Sequence, residues 1–178
     1  MHVLLIGLRC SGKSTVGRLL ADRLQRPFID LDDRTPAILD CATAGDALRA
    51  HGEPAFRAAE TQALRAVLAE PTESIIALGG GTPTAPGAAA VLLDAQGAGH
   101  AVIVYLRATP EVLAARMTSG EASSRPALIG PSSIDEVPAI FIRRDPLYTR
   151  LADRIIDAAQ SVNAIVEQVA ILGQPRQA

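Results

Sequence analysis

The sequence predicts an α/β fold: a five-stranded parallel sheet between two layers of helices, a three-layer α/β/α sandwich. Three observations predict it. Five short segments, Val3–Ile6, Pro27–Asp30, Ser74–Leu78, Ala101–Leu106 and Arg154–Asp157, are mostly continuous apolar runs rather than alternating ones, as strands covered on both faces are. Helical patterns separate these runs, so the strands are joined by right-handed crossovers. Finally, Gly7–Thr15 fits G-x-x-x-x-G-K-[ST] between the first run and the first helical pattern, the context that a phosphate-binding loop requires.

Val3-Leu4-Leu5-Ile6 reads as a buried strand. Gly7 and Gly12 allow backbone conformations that a Cβ hinders. The loop N–H groups and the following helix N-terminus can then face one anion. Lys13 places a point charge on the outer phosphates, and the Ser14 hydroxyl can ligate Mg²⁺. Gly7, Cys10, Ser11, Gly12, Lys13, Ser14 and Thr15 are therefore candidate nucleotide contacts; the competing reading is a glycine turn with an exposed lysine. Ser14–Leu24 is a predicted amphipathic helix, with Val16, Leu19, Leu20 and Leu24 on one side. Further helices are predicted over Thr35–Ala50 (broken), Pro54–Ala69, Pro86–Gln96, Pro110–Ser119, Ser132–Leu151 and Ser161–Leu172. Three begin at proline, where a missing N–H costs little. The tail 173–178 is expected to fray.

Ligands of such sheets bind beyond the carboxyl ends of the strands. Asp30 and Asp32 follow the second strand, and in extended geometry both point to one side. One could hold Mg²⁺ through water and the other take a proton from a hydroxyl substrate. The competing reading is a helix N-cap and a solvated acidic turn. Gly79-Gly80-Gly81 follows the third strand; it lets backbone N–H groups approach a small ligand, or it is only a flexible turn. Arg57 and Glu60 have the i,i+3 spacing of an ordinary surface ion pair, which contributes little. Met117–Ser124, bracketed by Arg116 and Arg125, is either a lid whose arginines close over a transferring phosphate or a solvated linker. Arg143-Arg144 is a guanidinium fork or a solvated basic pair.

The 178 residues, 48% hydrophobic, suit one domain with a full core. A net charge of −2 makes no electrostatic case for nucleic acid. No apolar run is as long as a membrane span, and no signal peptide is expected ahead of the opening strand. Cys10 and Cys41 make neither a disulfide framework nor a metal site, so a reduced, cytoplasmic setting is expected. His2, His51 and His100 are scattered without ligand spacing.

Taken in order, these pieces resemble the shikimate kinase family. The match comprises Gly-x-x-x-x-Gly-Lys-Ser-Thr at 7–15, Phe-x-Asp-x-Asp at 28–32 and Gly-Glu-x-x-Phe-Arg-x-x-Glu at 52–60. It continues with Gly-Gly-Gly at 79–81, Arg-Pro-x-Leu at 125–128 and Arg-x-Pro-Leu-Tyr at 144–148. The resemblance spans nearly the whole chain. It implies a nucleoside-monophosphate-kinase-like fold over residues 1–178, with a lid at about 117–126 and substrate-binding helices at about 33–60. It implies transfer of the ATP γ-phosphoryl group to the 3-hydroxyl of shikimate, with ATP and Mg²⁺ and as a monomer. Carried over, Lys13 and Ser14 bind phosphate and Mg²⁺, Asp30 reaches the metal through water, and Asp32 binds the shikimate hydroxyls and is placed as base. Arg57 and Arg144 grip the carboxylate, Gly80 contacts substrate through its backbone, Arg125 is the lid arginine and Arg116 stacks on adenine.

Four features depart from the family pattern. Cys10 replaces the middle glycine of the loop, where a side chain fits if φ is negative. Asp46-Ala47-Leu48-Arg49 stands where an Ile-Phe pair is usual. Arg116 and Arg125 are nine positions apart, and Ala158–Ser161 carries no basic residue. A kinase of another small hydroxy acid, gluconate-like, and a nucleotide-binding module without catalysis are the competing functions.

Overall fold

The computed structural model describes residues 1–118 and 134–173. Five strands, β1 (His2–Ile6), β2 (Phe28–Asp30), β3 (Ile75–Ala77), β4 (Ala101–Arg107) and β5 (Arg154–Asp157), form one sheet in the order β2-β3-β1-β4-β5. All pairs are parallel, with Leu4 beside Ile76 and Ile103. The apolar runs run through the centre: Val3, Leu4, Leu5, Ile6, Ile75, Ile76, Ile103 and Val104 are fully buried. Each such side chain contributes about 1.5–3 kcal/mol by leaving water. The predicted five-stranded parallel sandwich is observed.

The helices are α1 (Lys13–Leu24), α2 (Leu31–Ile38), α3 (Ala44–Leu68), α4 (Ala88–Gly97), α5 (Pro110–Thr118), α6 (Val137–Leu151) and α7 (Val162–Leu172). α1 packs with α7, while α3, α4 and α6 pack in a row; right-handed crossovers in opposite directions put the two groups on opposite faces. From β1 the chain crosses to β2, whereas from β3 it crosses the other way to β4. The crevice beyond β1 and β3 is thus the switch point at which such sheets bind ligands.

Three boundaries differ from expectation for local reasons. The helix expected from Thr35 begins at Leu31, because Asp30 caps it by accepting from the Asp32 N–H at 3.2 Å. The predicted break falls between α2 and α3. α3 then starts with Thr43 as cap and is interrupted only at Gly52, with φ 77° and ψ 169°, two residues before Pro54. Gly173 is not frayed: it ends α7, is buried, and a Cβ there would lie 2.9 Å from Leu24 Cδ1. Residues 174–178 lie outside the described residues, as do 119–133.

Candidate active site

The loop between β1 and α1 has the backbone its glycines imply. Gly7 has φ 155° and Gly12 φ 93°, and a Cβ on Gly7 would lie 2.7 Å from the Leu106 carbonyl oxygen. Cys10 does not meet the condition of a negative φ under which a side chain fits easily. Its φ of 64° lies in the left-handed region, so the thiol-bearing residue adopts the conformation that glycine takes more cheaply. Lys13 is 9% exposed, and its Nζ donates to the carbonyls of Gly7 and Leu8, each at 2.9 Å. Ser11 turns its hydroxyl into the fold against Gly7, while Thr15 lies exposed on the first turn of α1.

Ser14 Oγ donates to Asp30 Oδ2 at 2.8 Å, and Asp30 is 5% exposed. A hydroxyl and a buried carboxylate at the mouth of a phosphate loop are hard oxygen donors of the kind Mg²⁺ takes alongside phosphates and waters. Among the described residues no group of three or more His, Cys, Asp or Glu side chains could hold a metal ion. The two aspartates do not share an extended strand as expected. Asp30 ends β2 and Asp32 sits in the first turn of α2. The helical turn separates them, so Asp30 faces Ser14 while Asp32 Oδ1 reaches Gly79, where a Cβ would lie only 2.4 Å from it.

The triple glycine is packed on every side. A Cβ on Gly80 would lie 3.0 Å from the Arg9 nitrogen of the phosphate loop, and one on Gly81 2.5 Å from an Arg57 guanidinium nitrogen. Side chains here would collide with three neighbours, which explains the glycines better than flexibility does. Arg57 is no mere surface residue: it donates to Glu60 Oε2 at 2.7 Å, and Glu60 is 2% exposed. Glu60 Oε1 accepts from Thr82 Oγ1 at 2.7 Å, and Glu53 takes the other face of the guanidinium at 3.2 Å and 3.3 Å. Burial alone would lower the Arg57 pKa, but the charges and hydrogen bonds of Glu60 and Glu53 raise it. Arg57 is therefore a fixed cation whose orientation is held by two carboxylates.

From the other side α6 brings Arg144 and Tyr148, one helical turn apart. Both donate to the Gly80 carbonyl, Arg144 at 2.8 Å and the Tyr148 hydroxyl at 2.7 Å. Burial pushes the Tyr148 hydroxyl up to about 12, so it stays a donor. Arg107 and Tyr105, both on β4, hold Asp145 on α6: Arg107 at 2.7 Å and 3.0 Å, Tyr105 at 2.9 Å. Arg116 donates to the carbonyls of Cys10 at 3.3 Å and Ala158 at 2.6 Å, so it ties the phosphate loop to the turn after β5.

The structure thus brings together Lys13, Ser14, Asp30, Asp32, Arg57, Gly79–Gly81, Arg144 and Arg116 at the carboxyl end of the sheet. Arg125 lies outside the described residues. Sequence reasoning passed over Thr82, Asp145 and the Tyr148 hydroxyl, and treated Glu60 as a surface partner. Tyr148 could have been read from its i+4 spacing to Arg144; nothing local marks Thr82.

The family model described as shikimate kinase matches residues 9–172. A curated relative, shikimate kinase 2 of Yersinia enterocolitica, is 33% identical over 168 residues, covering 94% of this chain and 92% of that protein. Shikimate kinase 2 of Yersinia pestis is 32% identical over 171 residues, with the same coverage. Among solved structures, shikimate kinase from Acinetobacter baumannii in complex with shikimate superposes with a TM-score of 0.81 at 27% identity, covering 96% of this chain and 91% of that one. A gluconokinase from Sinorhizobium meliloti shares the fold alone, at 18% identity and a TM-score of 0.62 over 96% of this chain and 89% of that one.

Proposed function

This chain belongs to the shikimate kinase family, and from that premise we propose that it transfers the ATP γ-phosphoryl group to the 3-hydroxyl of shikimate, giving shikimate 3-phosphate and ADP. One observation carries the substrate assignment. Two guanidinium groups from separate elements, Arg57 on α3 and Arg144 on α6, converge on the triple glycine beside the phosphate loop and Asp32. A small carboxylated polyol needs cations for its carboxylate and a carboxylate acceptor for its hydroxyls.

The residues then divide the work. ATP with Mg²⁺ supplies the transferable phosphoryl group. The loop N–H groups of 7–12 and the Lys13 ammonium hold the phosphates, and Lys13 can exchange two carbonyl partners for phosphate oxygens. Ser14, whose hydroxyl faces Asp30, would ligate the metal, and Asp30 would reach it through water. Arg57 and Arg144 bind the carboxylate, and Glu60 fixes Arg57 so that little rotamer entropy is lost on binding. Asp32 accepts the proton of the attacking hydroxyl. Arg116, which donates to the Cys10 and Ala158 carbonyls, stacks on adenine in this reading, and Arg125, in the lid expected at about 117–126, stabilises charge on the transferring group. Residues 1–178 act as one monomeric kinase domain in the cytoplasm; one continuous apolar core supports the single-domain reading.

The test is ADP release by the purified chain with ATP and Mg²⁺, with and without shikimate, and with gluconate as control. A saturable rate that appears only with shikimate is expected. A rate with gluconate instead, or with neither acid, refutes the assignment. In the same assay Asp32→Asn should nearly abolish turnover and leave nucleotide affinity intact.

A further inference from the structure

We propose that Arg107, Tyr105 and Asp145 form a positioning clamp that sets the affinity for the acid substrate by holding Arg144 in place; this rests on the reading of Arg144 as a carboxylate-binding residue. α6 is intrinsically weak where it matters. Pro146 lies inside the helix, so it offers no N–H to the carbonyl one turn back, and its ring crowds that turn. Arg144 is two residues before this defect. A helix loosened there would let the guanidinium wander unless something outside the helix held it.

β4 supplies that hold. Tyr105 and Arg107 are two residues apart on one strand, so they project to the same face. Arg107 takes both oxygens of Asp145, at 2.7 Å and 3.0 Å, and its guanidinium carbon lies 5.3 Å from the centre of the Phe141 ring. Phe141 and Asp145 are one turn apart on α6, so Arg107 bridges the turn just before the proline. Tyr105 adds its hydroxyl to Asp145 at 2.9 Å and meets the Tyr148 ring edge-on, with centroids 5.5 Å apart and planes at 82°. Tyr148 is the residue that shares the Gly80 carbonyl with Arg144. The clamp therefore fixes both rotation and height of the stretch 141–148 against the sheet. A bidentate guanidinium–carboxylate pair suits this role because it fixes angle as well as distance.

The clamp's strand end also leads to the nucleotide side. The Arg107 carbonyl accepts from the Ala158 N–H at 2.8 Å, and the Ala158 carbonyl accepts from Arg116. That path is backbone, so substitutions of the Arg107 and Asp145 side chains leave it in place. The expected effect is confined to the acid substrate.

The experiment compares wild type with Arg107→Glu, Asp145→Arg and the double exchange R107E/D145R. Shikimate affinity is read by calorimetry without nucleotide, nucleotide affinity with a fluorescent ADP analogue, and stability by thermal unfolding. Each single variant should weaken shikimate binding about tenfold or more, as displacement of a binding group by a fraction of an ångström does, with nucleotide affinity unchanged. The double exchange should restore shikimate affinity to within about twofold of wild type. Single variants that unfold at lower temperature yet bind shikimate as wild type does would reduce the cluster to a structural role and overturn the proposal. So would a double exchange no better than the singles. If wild type binds shikimate without phosphorylating it, the kinase reading fails while the binding comparison still decides the clamp. Wild type that binds no shikimate overturns both.

Discussion

Gly79→Ala isolates the placement of Asp32. Gly79 does not have positive φ, so alanine brings no backbone strain; the effect is steric. The new methyl would lie 2.4 Å from Asp32 Oδ1, 2.8 Å from Thr82 Oγ1 and 3.0 Å from Glu60 Oε1. Thr82 and Glu60 hold each other at 2.7 Å, and Glu60 also holds Arg57. The shortest approach is to Asp32 Oδ1, half-buried at the start of α2, and ordinary contact requires that carboxylate to retreat by about 1 Å. A misplacement of that size costs a reacting group on the order of 10²-fold in rate, about 2.7 kcal/mol of barrier. The assay is steady-state ADP release at saturating shikimate and MgATP, with ADP-analogue binding as control for the intact phosphate loop. Gly97→Ala on α4, where a Cβ would meet nothing within 4 Å, controls for the substitution itself and should leave kcat unchanged. A Gly79→Ala enzyme with kcat within about threefold of wild type would refute the argument that Asp32 is held at the reacting hydroxyl by contact with this glycine.

Two further outcomes test the loop and the pH response. Cys10→Gly relieves the left-handed φ of 64°, worth about 1–2 kcal/mol, against an entropy cost of about 0.5–1 kcal/mol in the unfolded chain. The variant should therefore melt about 2–3 °C higher, and a lower melting temperature would show that the thiol is held by favourable contacts. His2 is 5% exposed, and its Nδ1 accepts from the Ser74 N–H at 3.2 Å; burial, with the neighbouring N-terminal amine, lowers its pKa. Near pH 6.5 and below, the unfolded chain takes up a proton that the folded chain resists, so this stability is present above that pH and lost on acidification. Urea midpoints at about pH 7.5 and about pH 5.5 should differ less in His2→Gln than in wild type; equal differences would remove His2 from the acid response.

The phosphate-loop half of the candidate site was legible in the sequence because it is local. Strand, glycine loop, lysine and serine are consecutive, and a backbone motif of nine residues carries its own geometry. The sheet was legible for a similar reason: runs such as Val3–Ile6 and Ile75–Leu78 are short and apolar on both faces, as the strands of a covered parallel sheet are. The order of motifs along the chain was enough to point to the family. The substrate half was not local. Arg57 and Glu60 have the spacing of a surface pair, and only the packing of α3 against the triple glycine buries Glu60 and turns the pair into a fixed cation. Asp30 and Asp32 alternate in sequence as strand residues would, but a helix capped by Asp30 itself sends them to different partners, Ser14 and Gly79. Cys10 has an ordinary sequence neighbourhood, and its positive φ is imposed by closure of the loop. Asp145 and Arg107 are 38 residues apart and meet because β4 lies beneath α6. Sequence by itself determined what short-range sterics and hydrophobic periodicity control: the fold class, the phosphate loop and the family. Only the tertiary structure decided which charges are buried and which partners they meet, because burial and pairing depend on distances that close only when the sheet brings its strand ends together.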